Sequence, residues 1–428
     1  MEPDESGRLT LFSFDRHGVL RDEHGLLGNV IAALQRTTKP ITDVFILSHG
    51  WLNDHAQAQA LYGDWIRAMA DYAHVRQAEI QARRPGFRPL LLGVHWPSAP
   101  WENPRTLVSL DQKVAFFTDL IGDRSAADDL GPLLEDAQAN PDPDTLSAQN
   151  EDRLHRIDEK SGLRKDQVGA LPGDDRGDFD AGRIFADYKR TWRDAVGDEP
   201  LRSALSPLWV TSFWKMKRRA LDVGGLGVHT LLKTLQAADE SHQVRFHLAG
   251  HSFGGIVMSA ALQGPPGGQP LARPAHSLAL LQGALSHWSF ARRIPDTERS
   301  GYFHPVIAAN LVSGPMVVTR SAHDRALGWF YRMAATLTRD VHLNRRAKRL
   351  PHYGAIGTYG LAGLTDAPLD LVVRPGQLRY RLEPGRRYNV DGSAVIVSSS
   401  FSVQGGHSNL VHPELAAVIW EAATTKPA

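Results

Sequence analysis

Short apolar runs and longer segments of helical period alternate along most of the chain. Residues 8–14 alternate apolar and polar positions, and Val19 and Leu20 supply a partner, so the two read as a hairpin at a sheet edge. Residues 26–34 read as a short helix. Residues 43–48 (DVFILS) have no helical period and read as a buried strand ending in His49-Gly50-Trp51. From 56 to 82, Leu61, Trp65, Met69, Tyr72 and Ile80 fall near one face of a helix that Pro85 and Gly86 end. Residues 89–96 (PLLLGVHW) are a second buried strand, closed by Pro97.

Helical texture returns at 207–237, where Trp209, Phe213, Met216 and Ala220 share a face beside a basic cluster, Lys215, Lys217, Arg218 and Arg219. Residues 243–249 read as a strand, 253–263 as a helix, and 277–281 and 315–319 as strands. Asp391-Gly392 reads as a turn before a strand over 394–403. Pro413 opens a last helix, at a position where its missing N–H costs nothing. This alternation predicts the α/β class: a mainly parallel central sheet with helices on both faces.

One stretch departs from the pattern. Residues 121–200 hold 20 acidic against 11 basic side chains, with Pro-Asp-Pro-Asp, Gly-Asp-Asp-Arg-Gly and weak periodicity. Residues 121–204 are therefore expected to be an acidic insertion, a partly mobile surface excursion or a lid, within a catalytic domain formed by 1–120 and 205–428.

Composition narrows the function classes. Among 428 residues, 42% are hydrophobic and 22% charged, enough for a sizeable core. The charge is 48 basic against 47 acidic residues, which gives no general attraction to nucleic acid. The absence of cysteine excludes disulfides, thiol catalysis and thiolate metal sites. The polar, acidic start is unlike a Sec signal, and no apolar run approaches the roughly 18 residues that cross a bilayer, so the expected location is cytoplasmic, with signal-independent export left open. No glycine-rich phosphate loop stands between a strand and a helix, and no cofactor or metal is expected.

The chemistry-bearing motif is Gly250-His251-Ser252-Phe253-Gly254-Gly255, between an apolar strand and a helix. A nucleophile on a sharp strand-to-helix turn needs small neighbours, and Gly250 and Gly254 supply them. The turn lifts the Ser252 hydroxyl to a helix N-terminus, where developing negative charge is favoured. A serine needs a base, and the base an orienting acid, in the chain order Ser, Asp/Glu, His. His407 lies between the last strand and the last helix, with His412 as second choice. Asp324 lies just past the strand at 315–319, with Asp340, Asp366 and Asp370 as alternatives. The oxyanion donors are expected to be the N–H of Phe253 and that of Trp51, or of Leu52 as second choice. His49, Gly50, His251 and Trp288 complete the candidate substrate-binding residues, with Trp51, Phe253 and Trp288 forming an apolar wall.

In motif order the chain resembles the α/β-hydrolase superfamily: HGW after one strand, GHSFGG after another, then Asp, then His. More narrowly it is similar to the bacterial group called domain-of-unknown-function 900, in Trp96-Pro97-Ser98 at a strand end and in Asp324-Arg325-Ala326-Leu327. Its elbow, GHSFGG, departs from that group toward ordinary esterases and lipases. The 83 residues from Asp324 to His407 are long for the superfamily, so 342–390 is an extra excursion, with Arg345, Arg346, Lys348 and Arg349 in it. The resemblance implies an α/β-hydrolase fold and a serine esterase without cofactor, acting on a small-molecule or lipid ester. A lipase at a membrane surface, motivated by the basic cluster 215–219, an amide or thioester hydrolase, and a catalytically silent scaffold are the alternatives. Oligomeric state is not legible.

Overall fold

Successive side chains of Asp43–Ser48 point to opposite faces of a sheet, and both faces are dry. Val44 and Ile46 join one buried cluster, Phe45 and Leu47 another. A strand covered on both sides has no reason to alternate, which is why this run reads as uniformly apolar.

The computed structural model describes residues 9–22, 24–98, 109–165, 168–191, 203–334, 350–397 and 406–426. The chain opens with β1 (Leu9–Phe14), β2 (Leu20–Arg21), α1 (Leu26–Leu34), β3 (Asp43–Ser48), α2 (His55–Val75), α3 (Gln77–Arg83) and β4 (Pro89–His95). Helices α4 (Leu110–Ile121), α5 (Ala127–Ala139), α6 (Ala148–Lys160), α7 (Ala181–Thr191), α8 (Ser206–Asp222) and α9 (His229–Ala238) follow. Then come β5 (Arg245–His251), α10 (Gly254–Gln263), β6 (Ser277–Leu281), α11 (His304–Ala308), β7 (Met316–Arg320), α12 (Arg325–Ala334) and α13 (Ile356–Tyr359). The chain closes with β8 (Leu369–Val372), β9 (Arg387–Asp391) and α14 (Pro413–Thr424).

The nine strands form one sheet in the order β2-β1-β4-β3-β5-β6-β7-β9-β8. Every neighbouring pair is parallel except β1 with β2. From β3 the chain steps one way to β4 and then back past β3 to β5. The strand order therefore reverses between β3 and β5, and the crevice outside their carboxyl ends is where such sheets place a site. Helices α8 and α10 cover one face through Phe213, Trp214, Ile256 and Val257; α2 and α14 cover the other through Trp65, Met69, Leu415 and Trp420. Among the described residues no helix is long and apolar enough to cross a membrane.

Four expectations need correction. The helix expected over 56–82 is two helices, broken at Arg76, whose backbone leaves the helical region. The last strand precedes the Asp391-Gly392 turn instead of following it: Arg387–Asp391 pairs with β7, residues 394–396 are turn, and 398–403 lie outside the described residues. The acidic stretch is not a surface excursion. Leu130, Leu133, Leu134, Leu154, Ile157 and Ile184 of α5, α6 and α7 are buried in the same cluster as the sheet face.

The basic cluster 215–219 is not a solvated face either. Lys217 is fully buried, its Nζ 2.5 Å from Asp175 Oδ2 and donating to the Tyr331 hydroxyl at 2.8 Å. Arg218 pairs with Asp174 at 2.9 Å, and Lys215 and Arg219 donate to the carbonyls of Ser161 and Pro97. The acidic stretch and the basic cluster are the two sides of one internal contact. Arg345, Arg346, Lys348 and Arg349 lie outside the described residues.

Candidate active site

The nucleophile candidate sits where β5 stops. Ser252 has φ +54°, a left-handed backbone unusual for a residue with a side chain, and α10 begins two residues later. The turn closes only because its neighbours lack Cβ atoms. A Cβ on Gly250 would stand 2.2 Å from the Gly254 carbonyl oxygen, and one on Gly254 2.2 Å from that of Ser48. Gly50, on the loop after β3, packs against the serine itself: a Cβ there would be 2.7 Å from Ser252 Cβ.

Three predicted residues meet at this point. His407 Nε2 lies 2.9 Å from Ser252 Oγ, and His407 Nδ1 lies 2.8 Å from Asp324 Oδ2. A carboxylate only accepts, so Nδ1 carries the proton and Nε2 is left to accept from the serine hydroxyl. Asp324 also begins α12, its Oδ1 accepting the Leu327 N–H at 3.0 Å. The alternatives stand apart. His412 is bonded to Asn409 at the start of α14. Asp366 and Asp370 are exposed, the latter 3.9 Å from Arg320, and Asp340 lies outside the described residues.

The loop after β3 is held from below by the end of β4. His49 is fully buried, and burial pushes its pKa down to about 3. The neutral ring donates from Nδ1 to the Gly50 carbonyl at 2.8 Å and accepts the Trp96 N–H at 3.3 Å. It stacks on the Trp96 ring, and Trp96 Nε1 donates to the His49 carbonyl. Ser98 Oγ accepts the Asn53 N–H and donates to the Asn53 carbonyl, and the Ser98 carbonyl accepts the Leu52 N–H. Leu52 is thereby occupied. Among the described residues no hydrogen bond takes up the N–H of Trp51 or of Phe253.

His251, beside the serine, donates from Nε2 to the His407 carbonyl at 3.0 Å; burial and the neighbouring His407 push its pKa down to about 3. His49 and His251 thus face the protein interior and brace the site, rather than a substrate. Trp288 also belongs to the core: it is buried, its indole N–H donates to the His352 carbonyl, and it packs on Gly169 and Gly363. The apolar wall keeps Trp51 and Phe253 of the three expected residues, and Trp209, Phe213 and Phe330 join them. Trp51 stacks on Phe253 at 5.9 Å and meets Phe213 and Phe330 edge-on at 5.6 Å and Trp209 at 5.9 Å. Sequence reasoning did not single out Phe330 or Gln282. The amide of Gln282 donates to Asp324 Oδ2 at 3.0 Å, yet a glutamine after an apolar strand carries no local signal of that contact.

Comparison with family models, with curated proteins and with solved structures gave no significant match.

Proposed function

We propose that the chain is a serine hydrolase with an α/β-hydrolase fold, cleaving carboxylic esters through an acyl-enzyme. The observation that carries this reading is the unbroken chain Ser252 Oγ, His407, Asp324, with contacts of 2.9 and 2.8 Å, at the reversal point of the sheet. Ser252 Oγ attacks the ester carbonyl carbon while its proton passes to His407 Nε2. Asp324 Oδ2 keeps the imidazole in its tautomer and stabilises the imidazolium. The N–H groups of Phe253 and Trp51 bind the oxyanion. Collapse expels the alcohol, which takes the proton from Nε2. Water then enters by the same route, giving the proton back to Nε2, and the carboxylic acid leaves as the serine is reprotonated.

The aromatic cluster around Trp51 supports an ester with an apolar acyl or alcohol part. The version of the membrane-surface reading that rests on the basic cluster loses support, because Lys217, Arg218, Arg219 and Lys215 are spent on internal partners. Initial rates on p-nitrophenyl acetate and octanoate test the proposal. Turnover that drops at least ~10⁴-fold in Ser252→Ala and in His407→Ala is the expected result. Turnover unchanged in Ser252→Ala would remove it.

A further inference from the structure

Gln282 is the first residue past β6, on the far side of the nucleophile turn from Gly50. Ser252 N–H donates to the Leu281 carbonyl, and Ala284 N–H donates to the Ser252 carbonyl, so residues 281–284 flank the serine directly. Gln282 has φ +44°, a left-handed backbone that costs energy in a residue with a Cβ, and its side chain is completely buried.

Its amide can point only one way. One end of the amide faces two groups that only accept, Asp324 Oδ2 and the Gly357 carbonyl, so the other end is Oε1, which accepts from the Thr319 hydroxyl at 3.0 Å while Thr319 Oγ1 accepts the Gln282 backbone N–H at 2.8 Å. Nε2 is turned to the opposite side, where its two N–H bonds reach Asp324 Oδ2 and the Gly357 carbonyl, both at 3.0 Å. That Oδ2 is the oxygen that holds His407. Among the described residues no lysine or arginine pairs with Asp324; the side chain that bonds its Oδ2 besides Gln282 is His407. The buried carboxylate is solvated by neutral donors, the amide of Gln282 and the N–H of Leu327, besides the imidazole.

We propose that Gln282 is a positioning residue for the acid–histidine pair: its amide fixes the Asp324 carboxylate against His407. The proposal rests on the serine-hydrolase reading above. A side chain that merely filled space between β6 and β7 would be replaceable by methionine without a change in titration.

The test uses the full chain as wild type, Gln282→Met, Gln282→Asn and Gln282→Glu. Two quantities are read: the pH profile of kcat and KM on p-nitrophenyl acetate, and the low-field proton resonance of His407 Nδ1, which needs no turnover. In Gln282→Met, kcat is expected to fall about ten- to a hundredfold, the scale of one hydrogen bond to a charged group, with KM within about twofold. The lower limb of kcat/KM moves, and the resonance shifts. Gln282→Asn, which tolerates the left-handed backbone but is too short to reach Asp324, repeats these changes and serves if the methionine variant does not fold. Gln282→Glu donates from its protonated carboxyl, so its rate relative to wild type falls as pH rises. Folded Met and Asn variants with kcat, lower limb and resonance all unchanged would overturn the proposal, as would a wild type lacking the resonance. If wild type shows no turnover, the hydrolase reading falls and the resonance alone decides: a shift in the variants upholds the pairing, and no shift ends it.

Discussion

Asp324 serves two elements at once, and a single substitution separates the roles. Asparagine keeps an oxygen for the Leu327 N–H, so α12 stays capped. Its amide N–H, however, would face His407 Nδ1, force that nitrogen to accept, and leave Nε2 protonated against the serine. Asp324→Asn is expected to cost about 10⁴ in kcat, and to lower the melting temperature because the buried Gln282 amide loses its acceptor; a loss of rate under about tenfold would contradict the assignment. Gly50 offers a second check. A methyl group there collides with Ser252 Cβ at 2.7 Å, and a misplacement of about 1 Å in such a site costs about a hundredfold. Gly50→Ala should therefore lower kcat on p-nitrophenyl acetate by about that factor, and a wild-type rate would show that the loop has room to spare. Ser252, His407 and Asp324 were legible because elbow chemistry leaves a local signature and chain order restricts its partners. His49 and His251 were misread as facing substrate, because a motif marks which residues belong together but not which way they point. Gln282 was not legible at all: its contact with Asp324 spans 42 residues of sequence.

The two charge anomalies of the sequence cancel each other in space. The acidic stretch looks like a surface excursion in sequence because its partners are not local: Asp158 pairs with Arg176, 18 residues on, while Asp174 and Asp175 take Arg218 and Lys217 from α8. Removing one partner of a buried pair leaves a bare charge, typically at a cost of about 3–5 kcal/mol. Lys217→Met is expected to destabilise the chain by about that amount in urea unfolding, and Lys217→Met with Asp175→Asn to recover part of it. A change below about 0.5 kcal/mol in the single variant would mean that the pair is effectively solvated. Deleting 121–204 should yield an unfolded chain, since Leu130, Leu133, Leu154 and Ile157 leave the core with it. The misplaced last strand has a similar cause. Arg387–Asp391 is short, follows Pro384-Gly385 and pairs with β7 and with the short, largely exposed β8, so local pattern could not separate it from its surroundings.

For the molecule as a whole, alternating strand and helix texture was enough to foresee a mainly parallel sheet with both faces covered, because buried parallel strands are apolar on both sides. Its interior also predicts a response to acid. Burial holds His49, His251 and His276 at about 3 and His287 at about 4, against an ordinary value of 6.5. Below that ordinary value the unfolded chain binds these protons and the folded chain does not. Stability is thus full above it and is lost as pH falls toward the folded values, by about 1.4 kcal/mol per pH unit for each histidine. Four such groups are expected to bring cooperative unfolding between about pH 6 and about pH 4, read by circular dichroism, with net proton uptake. A native spectrum at about pH 3.5 would contradict it.

The most direct test of the central claim is labelling with a fluorophosphonate, with the modified residue mapped by mass spectrometry. An activated serine predicts stoichiometric modification of Ser252 in the wild type and none in His407→Ala. A folded wild-type protein left unlabelled, or labelled equally well without His407, would contradict the account.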